Sequence, residues 1–214
     1  MFAQMDTAKL FPMPVWILAL EREEVERVNN AVLPAVEALR AETPSANPGD
    51  HWQSRNDLQT LEPFAPLTQV IEAGAREIFE QQGIEYDSFL ITGLWTNIRP
   101  PGSSHPPHTH PNNYLSGSYY PQVPQGGDTI GFRDPRPETN IIAPRVKRQT
   151  EFNARTLMVP VRTGILVMFP AWLPHFVPPN QGKTERISIS FNVMFSSYAE
   201  TISKPKWSFE PNAG

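Results

Sequence analysis

Three of the chain's five histidines, His105, His108 and His110, fall in one short stretch, SHPPHTHP. On extended backbone, residues i and i+2 project to the same face. His108 and His110 can therefore present two imidazoles to one metal ion. A third ligand is needed, and the only histidine downstream is His175. It sits in VMFPAWLPHFVPPN, where aromatic and proline neighbours can wall a dry site. Trp95, Phe169 and Trp172 are expected as core aromatics that also line this pocket. The plainer alternatives are a pair of exposed loop histidines and a satisfied core histidine. Two imidazoles at strand spacing with a distal third favour the metal. His105, in the proline loop, and His51, in a polar loop upstream, are expected to take no part.

Eleven residues beyond His175, Arg186 opens the run RISISFNV. Along a strand, Arg186, Ser188, Ser190 and Asn192 share one face, and Ile187, Ile189, Phe191 and Val193 the other. A polar face on a buried strand is costly unless partnered. An arginine grips a carboxylate bidentately, and a nearby serine can add a hydrogen bond. The pattern points to a buried anionic ligand near the metal. The rival reading pairs Arg186 with a core acid such as Asp87 or Glu185.

The elements that must position these groups follow from proline. There are 24 in 214 residues, so helices are confined to the stretches that hold few. Over residues 20–42, Val25, Val28, Val32, Val36 and Leu39 recur at helical spacing, with Pro34 inside. Over residues 67–82, Leu67, Val70, Ile71, Ile78 and Phe79 make an apolar face, with Pro66 at the start and Gly83 as the stop. Residues 43–65 read as loop. Residues 10–20, LFPMPVWILAL, are too short and too interrupted by proline for a spanning helix or a good signal peptide, and predict a buried first strand. Beyond residue 85 only short β-rich runs remain, at 89–99, 114–120, 129–132, 155–161, 164–169 and 186–195. The fold class is mainly β with N-terminal helices, in a jelly-roll barrel. Residues 1–84 form a strand and two-helix layer and 85–214 the barrel. The two make one domain, because neither buries its apolar face alone.

The net charge of −4 argues against a nucleic-acid partner, and Arg145-Val-Lys-Arg148 is too short to reverse that. The chain has no cysteine, which removes disulfides, thiolate ligands and a cysteine nucleophile. The same absence fits a cytoplasmic protein, with no membrane partner. Oligomeric state is open, with the helices expected to cover the barrel. Gly126-Gly127-Asp128 reads as a turn rather than a phosphate loop, since no helix follows.

Several motifs together carry a resemblance: LFPMPVW at 10–16, Trp95-x-Asn97, HTHPNNYLSGSYY at 108–120, GFRDPR at 131–136, distal His175 and Arg186-x-Ser188. They resemble the double-stranded β-helix of Fe(II)/2-oxoglutarate-dependent oxygenases, over most of the chain. The resemblance implies iron(II) held by His108, His110 and His175, with no catalytic residue beyond the metal centre. It implies that Arg186 pairs with the distal carboxylate of 2-oxoglutarate, supported by Ser188, with Asn97, Tyr120 and Asn192 lining the pocket. The expected activity is hydroxylation of a small molecule or a side chain, with 2-oxoglutarate decarboxylated to succinate.

One departure stands out. The wider superfamily uses histidine, a carboxylate two residues on, and a distal histidine. Here His110 takes the carboxylate's place, so the ion keeps both positive charges until the 2-oxoglutarate dianion binds. Asp134 is the foremost substitute ligand, although a turn cap is the simpler role for it. Three histidines also suit zinc. A cupin-like or zinc metalloenzyme without 2-oxoglutarate is therefore one alternative, and a non-catalytic jelly-roll binding module another.

Overall fold

The computed structural model describes residues 2–47 and 49–199. Two antiparallel sheets face each other, and a helical layer covers the larger one.

The helices begin and end where the sequence signals them. Helix α1 spans Arg22–Glu42, buries Val28, Val32 and Val36, and keeps Pro34 inside. Helix α2 spans Ala65–Gln82 and ends at Gly83, whose left-handed φ of 63° closes the last turn at no steric cost. Its face of Leu67, Ile71, Ile78 and Phe79 is buried. The connection between them is more structured than the expected loop. It holds strand β2 (Trp52–Gln53) and two 3-10 turns.

Strand β1 (Trp16–Ala19) is shorter and less buried than expected for residues 10–20. Leu10 and Phe11 are exposed. Pro12 and Pro14 carry no N–H to donate and so cannot extend the ladder. The remaining strands are β3 (Phe89–Arg99), β4 (His105–His108), β5 (Leu115–Gln122), β6 (Thr129–Arg133), β7 (Thr156–Pro160), β8 (Ile165–Pro170), β9 (His175–Val177) and β10 (Arg186–Phe195). The major sheet runs β1-β8-β5-β10-β3-β2 and the minor sheet β4-β9-β6-β7. Among the described residues no pairing joins the two sheets at their edges, so the jelly roll is an open sandwich rather than a closed barrel.

The alternation of β10 divides the interior. Ile187, Ile189, Phe191 and Val193 join Leu94 and Ile98 of β3 in the core under α1 and α2. A second cluster fills the space between the sheets, with Tyr120, Ile130, Phe132, Val167 and Phe169. The opposite face of β10 turns Arg186, Ser188, Ser190 and Asn192 into that space, across from Arg99, Asn97, Trp95 and Gly93 of β3. The site thus lies between the sheets, with one apolar wall and one polar wall.

Candidate metal centre

The triad is assembled by pairing in the minor sheet. His108 is the last residue of β4 and His175 the first of β9, and the two are direct cross-strand partners. His110 lies just past β4, where its backbone N–H donates to the Ala171 carbonyl at 2.8 Å. It therefore arrives from the turn after the strand, not from the strand itself. One potential ligand atom from each of His108, His110 and His175 lies within 4.8 Å of the other two. Nε2 of His110 stands 3.3 Å from Nε2 of His175.

The donor chemistry suits a cation. Nδ1 of His108 lies 3.0 Å from the Pro106 carbonyl, and Nδ1 of His175 lies 3.0 Å from the Leu173 carbonyl. A carbonyl can only accept, so each Nδ1 carries the proton and each Nε2 presents a lone pair. Such outer hydrogen bonds orient metal-ligating histidines. Two ligands about 2.0–2.1 Å from one ion lie about 3.0–3.4 Å apart, which matches the His110–His175 spacing. The rings are also held neutral, as ligation requires. Burial lowers His110 to about 3, helped by the neighbouring His175 charge. Burial likewise lowers His175 to about 4, and it lowers His108. Phe169 packs on His175 with ring centroids 4.5 Å apart, and Trp95 lies 5.7 Å from His110.

Not every expected neighbour is in place. Trp172 is 55% exposed and does not line the core. Asp134 is bound by the backbone N–H and the guanidinium of Arg136, so it caps its own turn and is no metal ligand. His105 sits closer than its loop position implied. Its ring lies 4.3 Å from that of His108, yet it stays outside the triad. The basic run 145–148 is exposed, as a solvated loop should be.

The polar wall holds the other expected residues. Arg186 is 2% exposed. Its Nη1 donates to the Thr129 carbonyl at 2.7 Å, its guanidinium lies 5.1 Å over the Tyr120 ring, and its Nε has no partner. Neither Asp87 nor Glu185 pairs with it, and Glu185 instead binds Arg40 on the surface. Asn97 donates to Ser190, which shares a 2.9 Å hydrogen bond with Ser118. Ser188, Asn192 and Tyr120 are buried alongside, and Oδ1 of Asn192 lacks a partner. Burial pushes the Tyr120 phenol up, against the pull of the Arg186 charge. Thr129 lies three residues along β6 from Phe132, which pairs with His175. At about 3.4 Å per strand residue, the arginine anchor and the triad are about 10 Å apart.

Three histidines that could hold a metal ion and, along the polar wall, a buried arginine whose Nε has no partner form the candidate site. Residues 93–192 match the family described as "Putative 2OG-Fe(II) oxygenase". The matched segment contains all three histidines and Arg186. Solved structures share the fold of this chain. A prolyl-4-hydroxylase of Pseudomonas putida superposes with a TM-score of 0.58 at 15% identity, over 86% of this chain and 93% of its own. HygX from Streptomyces hygroscopicus, solved with nickel and 2-oxoglutarate bound, gives 0.60 at 14% identity, over 86% and 83%. The alpha ketoglutarate dependent epimerase SnoN from nogalamycin biosynthesis gives 0.58 at 16% identity, over 86% and 77%. No curated protein sequence matches the chain.

Proposed function

We propose that this chain is a 2OG-Fe(II) oxygenase that binds iron(II) through His108, His110 and His175 and anchors the distal carboxylate of 2-oxoglutarate on Arg186. When bound, iron(II) and 2-oxoglutarate supply the oxidising chemistry, in which decarboxylation to succinate is coupled to hydroxylation of a C–H bond. The chain's own residues orient and desolvate. The two carbonyl-tethered imidazoles aim Nε2 inward without needing to lose a proton first. Ser188 adds a hydroxyl beside Arg186, and Asn97, Tyr120 and Asn192 complete the polar lining. Phe169 and Trp95 keep water from the ligands.

The observation that carries this reading is Arg186, a buried guanidinium with an unpartnered Nε on the polar face of β10, which looks into the space between the sheets. A buried cation without an anion is expensive. A diacid bound at the metal supplies that anion. The same feature speaks against a zinc or cupin-like enzyme working without 2-oxoglutarate, which has no use for a carboxylate clamp. The substrate is a small molecule or a side chain, and residues 1–214 act as one domain in the cytoplasm. Among the described residues no helix is long and apolar enough to cross a membrane.

The test is an anaerobic titration of the metal-free protein with Fe(II) and then 2-oxoglutarate, followed by visible absorption. A charge-transfer band that needs both components and disappears in His108→Ala is the expected result. Iron binding with no band and no stabilisation by 2-oxoglutarate would remove the basis of the reading.

A further inference from the structure

Arg186 is not the only buried arginine on the polar wall. Arg99, the last residue of β3, is its direct cross-strand partner. Both project from the face of the major sheet that looks into the space between the sheets. Arg99 is 5% exposed and Arg186 is 2% exposed. Like charges directly opposite each other on a sheet destabilise it, and burial makes the cost larger. Burial and then the Arg186 charge lower Arg99 to about 10, so Arg99 remains charged at neutral pH.

The fold offers the pair carbonyl acceptors and, for Arg186, the Tyr120 ring, but no carboxylate. Arg99 Nη1 donates to the Ser104 carbonyl at 2.9 Å, and Arg186 Nη1 to the Thr129 carbonyl. Each guanidinium has five N–H donors. Among the described residues no ion pair involves either one. The triad adds no negative charge, because its ligands are three neutral imidazoles. An anion between the two guanidinia would reverse the sign of this interaction.

We propose that Arg99 and Arg186 together form a two-arginine receptor for the distal carboxylate of the cosubstrate diacid. The inference rests on the oxygenase reading above and deepens it. Arg186 binds one edge of the carboxylate, and Arg99, from the neighbouring strand, binds the other. The pair makes the pocket selective for a diacid over a keto acid that lacks the second carboxylate. It also compensates for the all-histidine triad by placing the anion preference in the wall rather than at the metal.

The experiment measures dissociation constants of 2-oxoglutarate and of pyruvate by isothermal titration into the nickel-loaded full-length chain, where no turnover occurs. Pyruvate keeps the keto-acid end and lacks the distal carboxylate. Wild type should prefer 2-oxoglutarate strongly. Arg99→Gln should weaken 2-oxoglutarate roughly tenfold to hundredfold, the range for a charged hydrogen bond, while pyruvate changes by less than about twofold. Arg99→Lys, which keeps the charge, should recover part of the preference. The ligand-free Arg99→Gln chain should unfold no earlier than wild type, because a like-charge contact is gone. A normal preference in Arg99→Gln overturns the receptor and leaves the oxygenase reading standing. Equal weakening of both acids also overturns it, as does earlier unfolding with an unchanged preference. If wild type shows no preference for 2-oxoglutarate over pyruvate, the oxygenase reading itself falls and the receptor falls with it.

Discussion

Gly117→Ala tests the packing on which the polar wall depends. Gly117 lies in β5, opposite Phe191 of β10 and Met168 of β8, so it sits in the middle of the major sheet. A Cβ added there would lie 2.4 Å from Cζ of Phe191 and 2.5 Å from the Val167 carbonyl oxygen. Neither neighbour can yield easily. The Phe191 ring is 0% exposed in the core beneath the helices, and the Val167 backbone belongs to the β5–β8 ladder. Overpacking a core costs about 1–3 kcal/mol, and a clash against backbone belongs at the upper end, about 3 kcal/mol. For a domain of this size that corresponds to a fall in Tm of about 6–12 °C. Urea denaturation and calorimetry of Gly117→Ala measure both. Phe191→Leu, made in the same chain, removes the ring but not the carbonyl, so the double variant should show a coupling of about 1 kcal/mol in the recovering direction. Nickel affinity of the folded variant should stay within about threefold of wild type, because all three histidines belong to the minor sheet and its flanking turn. A Gly117→Ala chain within about 0.5 kcal/mol of wild type, as an ordinary surface change would be, refutes the packing argument.

Other outcomes follow from the site. Nickel at a hundred times its dissociation constant should stabilise wild type by about 3 kcal/mol, and His108→Ala, His110→Ala and His175→Ala should each lose that increment in denaturant titrations. The metal-free chain should lose stability as pH falls from about 6.5, because the folded state holds His110 near 3 and His175 near 4 while the unfolded state binds their protons at ordinary values. Above that window these groups contribute no pH dependence. At pH 5.5 the two together should cost about 3 kcal/mol, and a chain equally stable at pH 7.5 and 5.5 would contradict the burial of the triad. Asp134→Ala should leave metal affinity unchanged, and a tenfold loss by titration would return Asp134 to the ligand set. Arg40→Ala should cost less than about 1 kcal/mol by urea denaturation, since its pair with Glu185 is partly solvated.

The sequence by itself determined the chemistry and the local periods. Histidine at 108, 110 and 175 with no cysteine limits the ligands that can meet a metal. Val28, Val32 and Val36 write one helix face, and Leu67, Ile71, Ile78 and Phe79 another. The alternation of RISISFNV divides β10 into an apolar core face and a polar face before any partner is known. These features are legible because they depend on neighbours in the chain.

The tertiary structure decided what depends on distant residues. His108 meets His175 only because β4 pairs with β9, and the His110–His175 contact spans 65 positions. Strands β2, β4 and β9 have two to four residues each, too few for a period, and exist through pairing alone. The same dependence explains Trp172, an aromatic that looked like core and faces solvent, and Asp134, whose nearest cation turned out to be Arg136. Arg99 shows the boundary most clearly. Its place on one face with Trp95 and Asn97 can be read from alternation. Its position across from Arg186 is set by antiparallel register between strands far apart in the chain, and register is a property of the folded sheet.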